Sequence, residues 1–80
     1  NFPNPFNPST VINYSLAKEA FVKLAVYNAI GQEVVTLVNG VQPVGAHKVT
    51  FNASSFNSGV YFYRIETADF TAMRKMLLVK

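Results

Sequence analysis

The 80-residue sequence contains no cysteine, a single histidine, His47, and only four carboxylates, Glu19, Glu33, Glu66 and Asp69. Without cysteine there is neither a disulfide nor a thiolate metal site, so the fold must depend on packing and on backbone hydrogen bonds. A lone histidine has no second one with which to share a metal ion. Scattered carboxylates do not predict a calcium site or a paired acid and base. We therefore expect neither a metal nor a cofactor.

Motifs that carry catalysis are also missing from the sequence. No serine lies in a Gly-x-Ser-x-Gly pattern, and no glycine-rich loop precedes a helix as a phosphate or dinucleotide site would require. His47 lies in a stretch that alternates between apolar and polar residues, where a structural role is much commoner than a catalytic one. We expect no enzyme activity, and a hydrolase built on His47 is the weakest alternative.

Long hydrophobic runs and charge clusters are absent as well. The aliphatic run at residues 76–79 is far shorter than the roughly 20 residues of a membrane-spanning helix. The net charge is +3, but only Arg74 and Lys75 are adjacent cations, so no basic stripe predicts nucleic-acid binding. The first eight residues do not resemble a signal peptide and lack an initiator methionine. We expect the chain to be one piece of a longer protein.

What the sequence does contain is typical of one small globular domain, residues 1–80, since half of the residues are hydrophobic and 14% are charged. The prolines at positions 3, 5 and 8 exclude a helix from residues 1–8. We interpret this segment as an extended lead-in rather than a strand, with Phe2 and Phe6 as apolar anchors.

Period-two alternation then predicts a succession of short strands. They are placed at residues 10–16, 21–27, 32–38, 47–52, 60–67 and 70–79. Turns are predicted at residues 28–31 and at Asn39-Gly40, where Pro43 and Gly45 favour a seven-residue loop that ends at Ala46. Short strands with turn signals about every ten residues predict an all-β fold, an immunoglobulin-like antiparallel β-sandwich of about seven strands.

The aromatic stretch at residues 60–63 leaves two questions open. Tyr61 is placed like the tyrosine of a tyrosine corner, whose hydroxyl bonds backbone a few residues upstream, but it can equally pack within a strand. Phe62 is either shielded by the lead-in, which we favour, or part of an exposed patch that binds a partner or a sugar. If the last strand lies at a sheet edge, its backbone can pair with another protein's strand, unless Lys75 and Lys80 guard it.

A family resemblance rests on motifs in the same order along the whole chain. They are Asn-Phe-Pro-Asn-Pro-Phe-Asn-Pro-Ser-Thr at residues 1–10, Ile-Asn-Tyr-Ser-Leu at 12–16, Val-Lys-Leu-Ala-Val-Tyr-Asn at 22–28, Gly-Gln-Glu-Val-Val-Thr-Leu-Val at 31–38, Gly-Ala-His at 45–47, Ser-Gly-Val-Tyr-Phe-Tyr-Arg at 58–64 and Lys-Met-Leu-Leu-Val-Lys at 75–80. Together they resemble the type A C-terminal sorting domain of type IX secretion cargo, which is related to an immunoglobulin-like domain of flagellar hook-cap proteins.

The resemblance implies a non-catalytic domain at the end of a larger secreted bacterial protein. Its partners would be the upstream cargo domain, the outer-membrane translocon and the surface-attachment machinery, and its destination the cell surface or the medium. Phe51 departs from the family, in which many members carry tryptophan, and the final lysine is expected to be the natural C terminus. The other hypothesis from a different class is a structural, carbohydrate-binding or protein-binding module of a secreted enzyme or adhesin.

The resemblance also implies which residues carry the signal, namely the late Gly-x-Tyr segment and the last strand. The candidate signal residues are Gly59, Tyr61, Phe62, Tyr63, Arg64, Lys75, Met76, Leu77, Leu78, Val79 and Lys80.

Overall fold

The computed structural model describes residues 5, 6 and 8–80, and every regular element in them is a β-strand. The strands are β1 (Pro5–Phe6), β2 (Ser9–Leu16), β3 (Ala20–Asn28), β4 (Glu33–Gln42), β5 (Gly45–Asn52), β6 (Gly59–Glu66) and β7 (Thr71–Leu78). Six of them are eight to ten residues long and agree with the six predicted strands, while β1 has only two residues. The predicted all-β sandwich is confirmed.

The strands form two layers. One sheet has five strands in the order β1-β7-β6-β3-β4, and the other pairs β2 with β5. All pairs are antiparallel except β1 and β7, which run parallel. Since side chains alternate across a strand, each sheet has one face toward the other layer and one outer face.

The core lies between the two layers and is made by the inward side chains of each strand. The buried members are Ile12, Leu16, Val22, Leu24, Val26, Phe51, Ala53, Tyr61, Ile65, Met76 and Leu78. In β3, Val22, Leu24 and Val26 face the core, as Phe51 does in β5, while Ala25 is buried on the other face of β3. The outer face of the five-stranded sheet is not covered by the second layer.

The turn predicted after β3 is present, and Asn28 organises it. The Asn28 side-chain oxygen accepts hydrogen bonds from the backbone nitrogens of Ile30 at 3.1 Å and Gln32 at 2.9 Å. Gly31 follows with φ of +89°, a left-handed conformation that glycine adopts without steric cost. An asparagine side chain that mimics a backbone turn is a common reason for finding this residue at such positions.

The turn predicted at Asn39-Gly40 is wrong, and so is the seven-residue loop. Strand β4 continues through both residues to Gln42, and Gly40 pairs with Val22 of β3. Only Pro43 and Val44 separate β4 from β5. Gly40 does not adopt a positive φ, so the dipeptide behaves here as ordinary extended backbone held by the β3 ladder.

The interpretation of the lead-in as entirely non-strand also needs a correction. Pro5 and Phe6 pair in parallel with Leu77 and Leu78 at the margin of the sheet. Proline is tolerated at sheet edges because the amide hydrogen it lacks is not needed on the open side. The predicted shielding of Phe62 by the lead-in would involve the side chains of Phe2 and Phe6, which lie outside the described part of the structure.

Candidate functional site

The two segments that carry the candidate signal residues lie side by side in one hairpin. Gly59 to Arg64 belong to β6, Lys75 to Leu78 belong to β7, and the strands are antiparallel neighbours. The register places Gly59 opposite Leu78 and Phe62 opposite Lys75. Residues that are more than ten positions apart in sequence therefore share a continuous surface.

A tight turn fixes this register. The backbone nitrogen of Thr67 donates to the carbonyl oxygen of Phe70 at 2.9 Å, which closes the hairpin. The Thr67 hydroxyl oxygen in turn accepts from the backbone nitrogens of Asp69 at 3.1 Å and Phe70 at 3.2 Å. Threonine side chains stabilise such turns by satisfying amides that have no strand partner.

Strand alternation divides the candidates into buried and outward sets. Tyr61, Met76 and Leu78 are 8%, 0% and 1% exposed and belong to the core. Tyr63 packs against that core, and burial raises the pKa of its hydroxyl, with nearby Arg74 opposing the rise. No partner can contact the buried side chains while the sandwich is folded.

The outward set comprises Phe62, Arg64, Lys75 and Leu77. Along β6 and β7 these four positions alternate with the positions that face the core. Their side chains therefore lie on the uncovered face of the five-stranded sheet. Leu77 is 36% exposed, whereas Phe62 and Arg64 are half-buried among their neighbours. These four side chains can be contacted from outside without unfolding.

Tyr61 secures the beginning of β6. Its hydroxyl donates to the carbonyl oxygen of Asn57 at 2.8 Å, which confirms the tyrosine-corner interpretation. Its ring lies 6.1 Å from that of Phe56, and Phe56 lies 5.7 Å from Phe51, so three aromatic rings pack in series. Gly59, two residues before Tyr61, has a φ of +152°, which residues other than glycine rarely adopt.

Replacing Tyr61 with phenylalanine is expected to lower the free energy of unfolding by about 0.5–1.5 kcal/mol, because the ring stays but the Asn57 carbonyl loses its partner. Urea denaturation followed by circular dichroism measures the change. Tyr63→Phe is the matched control, since the Tyr63 hydroxyl makes no hydrogen bond to the described residues. Equal losses in the two variants would refute the role of the corner.

The last residue, Lys80, is fastened to the connection between β5 and β6. The backbone nitrogen of Lys80 donates to the hydroxyl of Ser58 at 3.1 Å, and its ammonium donates to the carbonyl oxygen of Ser54 at 2.7 Å. Val79 remains 46% exposed. Lys80 thus positions the end of the chain rather than presenting a free charge.

Arg64 is tied into the sheet surface by β3 and by its own strand. Its Nη2 donates to the Tyr27 hydroxyl at 2.8 Å, and its guanidinium carbon lies 4.8 Å from the centre of the Tyr27 ring. Its Nε lies 3.2 Å from Glu66 Oε1, close enough for an ion pair but without hydrogen-bond geometry. Arginine is suited to this combination of stacking and charge pairing.

A second polar cluster occupies the same face at β3 and β4. Lys23 Nζ lies 3.1 Å from Glu33 Oε1. A hydrogen bond from the Thr36 hydroxyl, followed by that from Lys23, lowers the pKa of the Glu33 carboxyl. The hydrogen bond and charge of Glu33 raise the pKa of Lys23. The charges at β3 and β4 are therefore satisfied within the domain.

Toward β7 the same face opens into a shallow groove. Phe62 and Met73 contribute its apolar lining, and Lys75 and Arg74 contribute the cationic lining. The groove continues past Arg64 and Tyr27. Sequence reasoning missed Met73, although its position two residues before Lys75 in a strand places both on one face.

His47 has a structural environment on the opposite layer. Its Nε2 donates to the carbonyl oxygen of Pro43 at 2.8 Å, and its ring stacks on Tyr14 with centres 4.9 Å apart. Because a carbonyl oxygen only accepts, this bond places a proton on Nε2.

Among the described residues no three histidine or carboxylate side chains converge on a point where a metal ion would fit. None of the described segments forms a helix able to cross a membrane.

Comparison with known protein families identifies a match. A family model described as a secretion system C-terminal sorting domain matches residues 1–80. No curated protein matches the chain. The resemblance inferred from the motifs is thereby confirmed over the whole chain. The chain belongs to the family of C-terminal sorting domains that direct cargo proteins into type IX secretion.

Proposed function

We propose that the outer-membrane translocon of the type IX pathway reads the outward face of the β6–β7 hairpin. The observation that carries this proposal is the register, in which Phe62 lies opposite Lys75 and Val60 lies opposite Leu77. The two segments implied by the family resemblance therefore make one surface, and that surface is on the sheet face left open by the second layer.

The buried candidates act by holding this surface in place. Met76 and Leu78 anchor β7 in the core, and Tyr61 anchors β6 to the connection before it. The two hydrogen bonds of Lys80 fasten the end of the chain to residues 54 and 58. The strand pair is therefore already ordered before the partner binds, so less conformational entropy is lost on binding.

Sorting by such a surface requires binding and no chemical step. The domain would deliver the cargo that precedes it in the same polypeptide from the periplasm through the translocon. The surface-attachment machinery would act on the exported protein at the cell surface, and release into the medium would follow where attachment does not occur.

The test is a fluorescent reporter fused ahead of this chain, with a secretory signal peptide, in a bacterium that has type IX secretion. Leu77→Ser and Phe62→Ser are each expected to reduce surface and medium delivery about tenfold, because loss of one central apolar contact costs on the order of 1–2 kcal/mol of binding. Val41→Ser is the matched control. Val41 is 61% exposed on the same face, at the far side of the sheet.

Thermal unfolding of the purified variants separates loss of recognition from loss of fold. Leu77→Ser is expected to unfold within a few degrees of the parent chain, because its side chain is not part of the buried core. Normal delivery of both hairpin variants would contradict the proposed surface. Translocon-independent delivery of the parent fusion would contradict the proposed partner.

A further inference from the structure

Some charged side chains of the described residues form ion pairs and others do not, and two of the unpaired cations lie on the β6–β7 hairpin. Three of the four carboxylates have cation partners within the domain, in the pairs Lys18–Asp69, Lys23–Glu33 and Arg64–Glu66. Within residues 8–80, Arg74 and Lys75 of β7 have no carboxylate at ion-pair distance. Both are exposed, and both line the groove beside Phe62.

The groove combines this positive charge with apolar surface. Met73 is 53% exposed on the strand that also carries Lys75 and Leu77. Along β7 the outward side chains therefore run apolar, cationic, apolar at every second residue. Arg74 reaches the groove from the strand margin, where its Nη1 donates to the carbonyl oxygen of Met73 at 3.1 Å.

We propose that the occupant of this groove is an extended acidic segment of the translocon whose carboxylates face Lys75 and Arg74 while an apolar side chain contacts Phe62 and Met73. The inference rests on the proposed function and adds the chemistry of the partner. An extended chain repeats every second residue, as β7 does, so its acidic and apolar side chains match the alternation of the strand. Complementary charge of this kind accelerates encounter and excludes wrong partners.

The pattern of charge distinguishes a protein segment from an anionic membrane. Lipid recognition of this electrostatic type uses clusters of 4–8 lysines and arginines. The hairpin presents two, because Arg64 is paired with Glu66 and the ammonium of Lys80 is bonded to Ser54. Two cations beside a narrow apolar floor suit a small number of carboxylates on a single strand.

A charge series at Lys75 tests the inference in the reporter fusion. Lys75→Arg is expected to deliver the reporter as the parent does, Lys75→Gln to reduce delivery a few-fold, and Lys75→Glu to reduce it about tenfold or more, since reversal converts attraction into repulsion. Lys48→Glu is the matched control. Lys48 is exposed on the outward face of β5, in the other layer, and the substitution changes the net charge by the same amount.

The outcomes separate this inference from the proposed function. A flat Lys75 series together with a loss in Leu77→Ser would overturn the acidic partner while leaving the hairpin as the recognised surface. A loss in Lys48→Glu equal to that in Lys75→Glu would also overturn it, because net charge alone would then matter. Co-sedimentation of the parent chain with anionic phospholipid vesicles that Lys75→Glu abolishes would assign the groove to membrane instead. Absence of co-sedimentation, with a graded Lys75 series, supports the protein segment.

Discussion

Phe51→Ala is expected to lower the free energy of unfolding by about 3–5 kcal/mol, which is the usual cost of removing a buried phenylalanine ring. Phe51 is 1% exposed and is first by volume among the fully buried side chains. It belongs to the two-stranded layer, and its ring lies 5.7 Å from that of Phe56. Without it, the two-stranded layer loses the largest of its fully buried side chains.

The loss is large relative to what a domain of this size has available. At about 0.05–0.15 kcal/mol per residue, 80 residues are expected to have a total stability of roughly 4–12 kcal/mol. There is no disulfide to compensate, because the chain has no cysteine. Phe51→Ala should therefore unfold partly or fully at growth temperature.

Urea denaturation of Phe51→Ala and Phe21→Ala provides the measurement and its matched control. Phe21 is 56% exposed on the outward face of β3, so the same change in chemistry there is expected to cost less than about 1 kcal/mol. Similar losses at the two positions would contradict the assignment of Phe51 to the core.

The strands could be predicted from the sequence because one face of each is buried. In β5, His47, Val49 and Phe51 alternate with residues that are exposed, and this local period of two identifies both the strand and its inward face. The same reasoning would have separated Met76 from Leu77 within the candidate site. Burial of alternate residues is thus a property that sequence alone can reveal.

The end of β4 could not be predicted, since its cause is not local. Asn39-Gly40 is a strong turn signal by itself. The structure instead pairs Asn39 with Lys23 and Gly40 with Val22, and the ladder continues to Ala20 and Gln42. Whether Asn39-Gly40 turns or continues the strand depends on the length of β3, the partner strand, and the sequence of β4 does not contain that information.

The candidate site shows the same division between local and non-local information. A hairpin of β6 and β7 follows from two consecutive strands and a short turn. The contact between Arg64 and Tyr27 joins residues 37 positions apart, and it depends on β3 lying next to β6. Only that adjacency shows that Arg64 is held by Tyr27.

Met76→Ala is expected to abolish most export through loss of the fold rather than loss of a contact. Met76 is 0% exposed and faces Tyr61 across the hairpin, so its truncation should cost about 2–5 kcal/mol. This cost multiplies the unfolded fraction by roughly 30 to 5,000, and an unfolded hairpin presents no ordered surface to the translocon.

Growth temperature distinguishes the two causes of failure. Cooling toward the temperature of maximum stability, typically about 10–20 °C, refolds a destabilised domain. Reporter delivery by Met76→Ala should therefore recover in cooler cultures relative to the parent fusion. Leu77→Ser, which is folded at either temperature, should not recover. Delivery and thermal midpoints measured for both variants make the comparison.

The opposite result would change the mechanism. If Met76→Ala were as stable as the parent chain and still failed to export, Met76 would have to be contacted directly. Since its side chain is enclosed between the layers, direct contact requires β7 to leave the sandwich during recognition. Recovery on cooling instead supports a translocon that reads the folded hairpin from its outward face.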